Sequence, residues 1–457
     1  MNSTRLKKIA ATAMCFAVLA QPLLLTSCKK EEKTDRRTAD YGSFGSDIAR
    51  EIASKFPERA AYSEGEKATG DYIESKIREL GYTPEIQKFD KEEAGTSANY
   101  IVKIPGTGFY VHQPDGTYQI EHRVAVIGAH YDAAVLPEYA PKEDEKKDDK
   151  KKDDKKKDDK KADGEAEPTE RPKYVFDGIS DNASGTACVL TAMMAFKEYT
   201  NISYDVWFVF FGAGTDNFAG AEKFVTSLQG EELLSIDVMY DIDSLYAGDK
   251  VYASSGYKSL LSTQKYEMRR KLYQAYDVCF ANPLYTYYRF DLYYNESGLR
   301  FDVNEDGYKD IYNEVSGTMS DYKLFDERGI PVVYFESFDY NYTSLDKMKE
   351  TKNLNIQDFG GKVRRTPSDC TYFLDELLIT EDVDRNNDGE IDCSGDRLQI
   401  RVNCVAFIVI ESLLKGSDKG MTPAQYEQFK KEATRQTYFT ETSESTSETA
   451  KPSESST

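Results

Sequence analysis

Imidazole is scarce in this chain, which has three histidines, His112, His122 and His130, among 457 residues. A site needing several imidazole ligands has little to draw on, since His112 and His122 fall in an early strand or turn region and leave no spare ring. An excess of positive charge is missing too. The net charge is -21, and the dense lysine runs are interleaved with aspartate. No basic patch is left to neutralise phosphates, which argues against nucleic acid as a partner. Past the first 27 residues no segment is apolar enough to span a bilayer. The seven cysteines lack metal-finger spacing. Setting aside Cys15 and Cys28 leaves Cys188, Cys279, Cys370, Cys393 and Cys404, with Cys393 and Cys404 one candidate disulfide and the connectivity open.

What is present is a globular composition, 39% hydrophobic and 12% aromatic, in a chain long enough for a large core. The opening "MNSTRLKKIAATAMCFAVLAQPLLLTSCKK" has a basic start and a short apolar run, the pattern of a secretory leader over residues 1–27. Its Leu-Thr-Ser-Cys ending resembles a bacterial lipobox and marks Cys28 for lipidation, giving an extracytoplasmic protein anchored to the cell envelope through acyl chains. Residues 28–41 read as a polar tether and 42–416 as the folded domain. Residues 138–173 hold an Asp/Lys repeat that cannot bury anything and is expected to be a disordered insertion. Residues 417–436 read as a C-terminal helix and 437–457 as a Ser/Thr/Glu tail.

Within the domain, helical spacing runs from Ser43 to Lys55 and again through "EKATGDYIESKIREL". "VAVIGAH" is a short apolar run suited to a buried strand. "SDNASGTACVLTAMMAF" reads as a turn entering an amphipathic helix, and "VWFVFF", "SIDVMYDID" and "GIPVVYFES" read as further strands. Strands alternating with helices predict an α/β fold, a mostly parallel central sheet with helices on both faces. Active residues of such sheets lie beyond the carboxyl ends of strands. The polar residues at those ends are His130 and Asp132, Asp181, Thr215 and Asp216, and Asp243. One imidazole with carboxylates suits a zinc ion that keeps an open position.

In order and context, "GAHYDA", "DGISDNASGTA", "FVFFGAGTDNFAG", "YDID", "SDYKLFDERGIPVVYFES" and "RRTPSDC" resemble the motifs of the zinc aminopeptidases, a family that includes leucyl aminopeptidase, aminopeptidase Y, carboxypeptidase Q and the glutaminyl cyclases. The resemblance runs from about Ser43 to Leu414. It implies His130 and Asp243 as ligands of one zinc, Asp181 as a bridging carboxylate, and Asp132 as the acid orienting the imidazole. Asp241, on the same strand face but two residues deeper, is not expected to be a ligand. Four positions depart from the family pattern. Gly214 stands where the resemblance implies a glutamate base, Thr215 where it implies a second-zinc ligand, and Tyr322 and Arg365 where it implies histidines. Asp216 is a candidate substitute base after a one-residue slip. The expectation is at most one zinc, weak or absent peptidase turnover, and binding of a peptide or partner protein; the alternative is an active metallo-aminopeptidase.

Two segments, "DVNEDGYKD" and "DRNNDGEID", follow the Asp-x-Asn-x-Asp-Gly pattern of calcium loops. The ligands would be Asp302, Asn304, Asp306 and Asp310 in residues 302–313, and Asp384, Asn386, Asp388 and Asp392 in residues 384–395. Neither loop has a glutamate at its twelfth place, where Asn313 and Gly395 stand, and the role expected is structural.

Overall fold

The computed structural model describes residues 37–136, 173–261, 265–295, 299–301, 310–312, 314–340, 348–378 and 395–433. Contacts divide the chain into residues 1–38 and 39–457; the fold is that of the second unit. The calcium-type loops and the Asp/Lys insertion fall outside the described residues, apart from the ends of those ranges. Cys28 and the leader do so entirely.

The helices α1 (Phe44–Lys55) and α2 (Glu64–Glu79) come first. α1 buries Ile48, Ala49, Ile52 and Ala53, one face at helical spacing. Ser63 caps α2 by accepting from the Glu66 N–H, and Glu66 reaches back to the Tyr62 N–H. The strands are β1 (Glu85–Lys91), β2 (Gly95–Ile104), β3 (Phe109–His112), β4 (Tyr118–Glu121), β5 (Val124–His130), β6 (Asp205–Phe211), β7 (Ile236–Asp243), β8 (Lys250–Ser254), β9 (Leu292–Tyr293), β10 (Leu299–Phe301), β11 (Asp310–Tyr312) and β12 (Val332–Phe338). Eight of them form one sheet in the order β1-β2-β6-β5-β7-β12-β8-β9, while β3/β4 and β10/β11 are separate two-stranded pairs. The centre, β6-β5-β7-β12, is parallel, and antiparallel pairs flank it.

Alternation along the strands splits the core in two. Val206, Phe208 and Phe210 of β6, with Ala125, Ile127 and Ala129 of β5, face a large cluster built with α1, α2, α3 (Gly185–Phe196), α4 (Lys265–Ala281) and α5 (Arg397–Leu414). Trp207, Val209 and Phe211, with Val124 and Val126, face a smaller cluster closed by Phe224, Tyr322 and Phe325. At about 25 cal/mol per Å² of apolar surface, these two layers supply the main drive for folding. The expected mostly parallel α/β sheet is therefore present.

One local expectation differs from the structure. α3 is not amphipathic. All of its residues except Met194 are buried, because it lies between the sheet and α5, so water reaches almost none of it. A short helix, Leu284–Tyr288, leaves Tyr285 and Tyr287 exposed, and the two residues of β9 follow it. Cys404 is a buried free thiol, and Cys393, the other half of the candidate pairing, lies outside the described residues. Among the described residues, no helix is long and apolar enough to cross a membrane.

Candidate metal centre

His130 ends β5 and Asp243 ends β7, and these are neighbouring parallel strands with Gly128 opposite Asp241. By strand alternation both side chains share the sheet face of Val126 and Met239. The third group comes from the turn before α3, where Asp181 precedes a cis peptide to Asn182. Asn182 ties this turn to the end of β7. Its Oδ1 accepts from Gly185 and Ser244 N–H at 3.0 Å each, and its Nδ2 donates to Ile242 O at 3.0 Å. A side chain at Gly185 would put Cβ 2.3 Å from both Asn182 Oδ1 and Ile242 O, so glycine lets the helix start this close to the strand. On the other side, Asp369 accepts from Ser180 and Asp181 N–H at 2.8 and 3.0 Å.

The result is a buried triad. His130, Asp181 and Asp243 can each present one ligand atom, all within 4.8 Å of one another, and no other such group of His, Cys, Asp or Glu occurs among the described residues. His130 Nε2 lies 3.3 Å from Asp181 Oδ1 and 3.9 Å from Asp243 Oδ2. Both Asp181 oxygens are buried without a hydrogen-bond donor. Orphaned carboxylate oxygens are costly unless a cation takes them. One imidazole and two carboxylates therefore fit a single zinc with a position left open.

Asp132 lies behind the imidazole. It approaches His130 Nδ1 at 3.2 Å and accepts from Gly214 N–H at 2.7 Å, Thr215 N–H at 2.9 Å and the Thr215 hydroxyl. Burial works to raise the Asp132 carboxyl, but His130 and Thr215 outweigh it and hold it below the usual range. Burial likewise works to lower His130, and Asp132 and Asp181 reverse the direction, raising it well above the ordinary imidazole value. Fixing one ring nitrogen in this way aims the other at the ligand position.

The positions that depart from the family pattern are also placed. Thr215 is turned to Asp132. Gly214 packs on the imidazole so closely that a Cβ there would lie 2.3 Å from His130 Cβ. A glutamate at 214 does not fit beside the ring as it stands. Tyr322 is buried, its N–H donating to Asp241 Oδ2 at 2.8 Å and its hydroxyl to Thr318 O. Asp241 thus holds the start of the helix Tyr322–Asp326 and stays out of the triad. Arg365 Nε stands 3.7 Å from Asp181 Oδ2. Asp216 is corrected: it accepts from Tyr62 OH at 2.9 Å and pairs with Lys91 at 2.7 Å. It lines a separate depression with Tyr62 and Lys91, not the one over the triad, so it does not serve as a base there.

Two arginines outside the expected set shape the site. Arg59, fully buried, donates to the carbonyls of Phe56, Tyr131, Asp177 and Gly178, clasping the loop after His130 to the loop before Asp181. Arg364 reaches Tyr334 OH and Glu336 and lies 3.7 Å from Asp243 Oδ2. Only the doubled arginine of "RRTPSD" hinted at the second, and nothing local marked the first. Over the triad lies a cavity of about 330 Å³, lined by Phe218, Thr318, Met319, Glu350, Arg364 and Arg365 as well as the triad.

This chain belongs to peptidase family M28, whose profile matches residues 110–366. It is 24% identical over 309 residues to the alkaline phosphatase isozyme conversion protein of Escherichia coli K12, covering 67% of this chain and 75% of that protein. Similar solved structures include a zinc aminopeptidase from Bacillus subtilis, at 12% identity and a TM-score of 0.48 over 85% of this chain and 100% of that one. Another is a glutaminyl cyclase from an Acidobacteriales bacterium, at 15% identity and a TM-score of 0.49 with the same coverage.

Proposed function

We propose that this M28 chain is an envelope-anchored lipoprotein that holds a single zinc through His130, Asp181 and Asp243, binds peptides in the cavity above them, and has weak or no peptidase turnover. One observation carries the reading: the outer oxygen of Asp181, which a second metal would need, faces the Arg365 guanidinium at 3.7 Å. A fixed cation there opposes another cation. Thr215, at the other position implied for a second-zinc ligand, is committed to Asp132. When bound, zinc supplies Lewis-acid polarisation of a carbonyl.

The chain's own residues orient more than they transfer protons. Asp132 holds the imidazole, and Arg364 stands beside Asp243. Glu350, the remaining acid lining the cavity, accepts from Val363 and Arg364 N–H and is buried. A general base contributes roughly 10² to 10⁴ in rate, and none is positioned over the open side of the triad among the described residues.

The three-donor set with an open position supports a second reading, an active extracytoplasmic metallo-aminopeptidase. Metal analysis of the purified chain, paired with hydrolysis of aminoacyl chromogenic substrates with and without chelator, separates the two. One zinc without turnover is the expected result. Chelator-sensitive hydrolysis at ordinary enzyme rates, or two zincs per chain, rejects the first reading. Metabolic labelling with a radiolabelled fatty acid tests the anchor, and a Cys28→Ala chain is expected to lose the label.

A further inference from the structure

The charged groups around the cavity differ sharply in how far they reach water. His130, Asp181 and Asp243 form its floor, with side chains no more than 4% exposed, and Glu350 is held by backbone N–H groups. Arg364 is 11% exposed and turned to Glu336 and Asp243, whereas Arg365 is 51% exposed. Arg365 is thus the one charged lining group whose side chain stands half in solvent, at the mouth, beside Thr318, Phe218 and the exposed Met319.

The backbone is bent to put it there. Arg365 has φ 57°, the left-handed region that a side-chain-bearing residue adopts only under constraint. The turn is closed on both sides, by Thr366 N–H to Val363 O and Asp369 N–H to Thr366 O at 3.0 Å each. In an extended chain, consecutive side chains point to opposite sides; here Arg364 and Arg365 line one cavity. A peptide's terminal ammonium entering this mouth would meet a guanidinium of its own sign and no exposed acid among the described lining residues. A carboxylate would meet a planar donor fork suited to it.

We infer that the cavity selects ligands by a carboxylate, received by Arg365 at the mouth while the rest of the peptide lies over the triad. The carboxylate is either the free C-terminus of a short peptide or an acidic side chain. The inference rests on the peptide-binding reading above and adds the chemical class it selects.

The test is calorimetric titration of the purified, zinc-loaded full chain with four probes. They are N-acetylated trialanine with a free C-terminus, the same peptide as its C-terminal amide, that amide with a central glutamate, and trialanine amide with a free N-terminus. At least one of the two carboxylate-bearing peptides is expected to bind about tenfold or more tighter than the acetylated amide, the scale of one charge-assisted hydrogen bond. The one that does so identifies the source. Arg365→Gln should abolish the difference and Arg365→Lys should keep part of it, with the thermal midpoint unchanged because the side chain is half exposed; zinc is counted in each variant, since loss of the guanidinium also lifts its opposition to a second metal. Equal affinities, no binding by any probe, tightest binding of the free-amine peptide, or discrimination that survives Arg365→Gln would each overturn the inference. Zinc counted in the same samples keeps the two readings apart: two zincs with carboxylate selection intact would reject only the single-zinc reading.

Discussion

Gly214→Ala probes the contact on which the triad's geometry rests. A Cβ at 214 would lie 2.3 Å from His130 Cβ, 2.5 Å from Cγ and 3.0 Å from Nδ1, where carbon atoms settle at about 3.5–4.0 Å. Something must therefore move by about 1 Å. If the imidazole moves, its 3.2 Å approach to Asp132 is lost; if the turn moves, the 2.7 Å bond from Gly214 N–H to Asp132 is lost. Overpacking of this kind costs about 1–3 kcal/mol, and disturbing the group that orients a ligating histidine lowers metal affinity about 10- to 100-fold. Urea unfolding of the metal-free chain measures the first, and competition against a chromogenic zinc chelator the second. Stability and zinc affinity both equal to those of the unmodified chain would refute the argument, since the side chain would then have room that the packing denies it.

Arg59→Met removes the donor for four carbonyls, Phe56, Tyr131, Asp177 and Gly178. It should lower unfolding free energy by about 3 kcal/mol or more and weaken zinc uptake; equal stability in urea would refute the clasp. Asp216→Asn, outside the cavity over the triad, is expected to leave zinc affinity unchanged by the same chelator competition. For pH, burial first and Asp132 second push the Glu66 carboxyl from 4.5 up to about 7. The folded chain then holds a proton that the unfolded chain has released, so this group's contribution declines as pH rises from 4.5 to about 7. In urea titrations across that window Glu66→Gln should show a shallower decline, and an unchanged slope would reject the assignment.

The legible parts of the site were those that strand ends announce. His130 and Asp243 close apolar runs, and Asp181 sits in a turn of small residues that opens a helix. Their shared sheet face follows from alternation alone. Arg59 could not be read, because it joins two loops that lie 72 and 118 residues from it along the chain and no local pattern records such partners. Asp216 misled for the converse reason: its place after a strand matched expectation, while Tyr62 and Lys91, remote in sequence, decide where it points. α3 read as amphipathic because a window of sequence does not reveal that a second helix covers its outer side. The parallel centre was legible from runs such as "VAVIGAH", but the flanking strands β1 and β8, with mixed polar and apolar residues and antiparallel partners, were not.

β5 and β7 are each hydrogen-bonded on both sides, β5 by β6 and β7, and β7 by β5 and β12. Main-chain amides in such interior strands exchange with solvent deuterium only when the whole sheet opens. The spacing of His130 and Asp243 is accordingly a property of the lattice of strands rather than of any ion between them. These two strands should resist deuterium uptake already in the metal-free chain, zinc adding only the further slowing that its binding free energy gives to global opening, and metal entry should be limited by dehydration and proton loss instead of chain ordering.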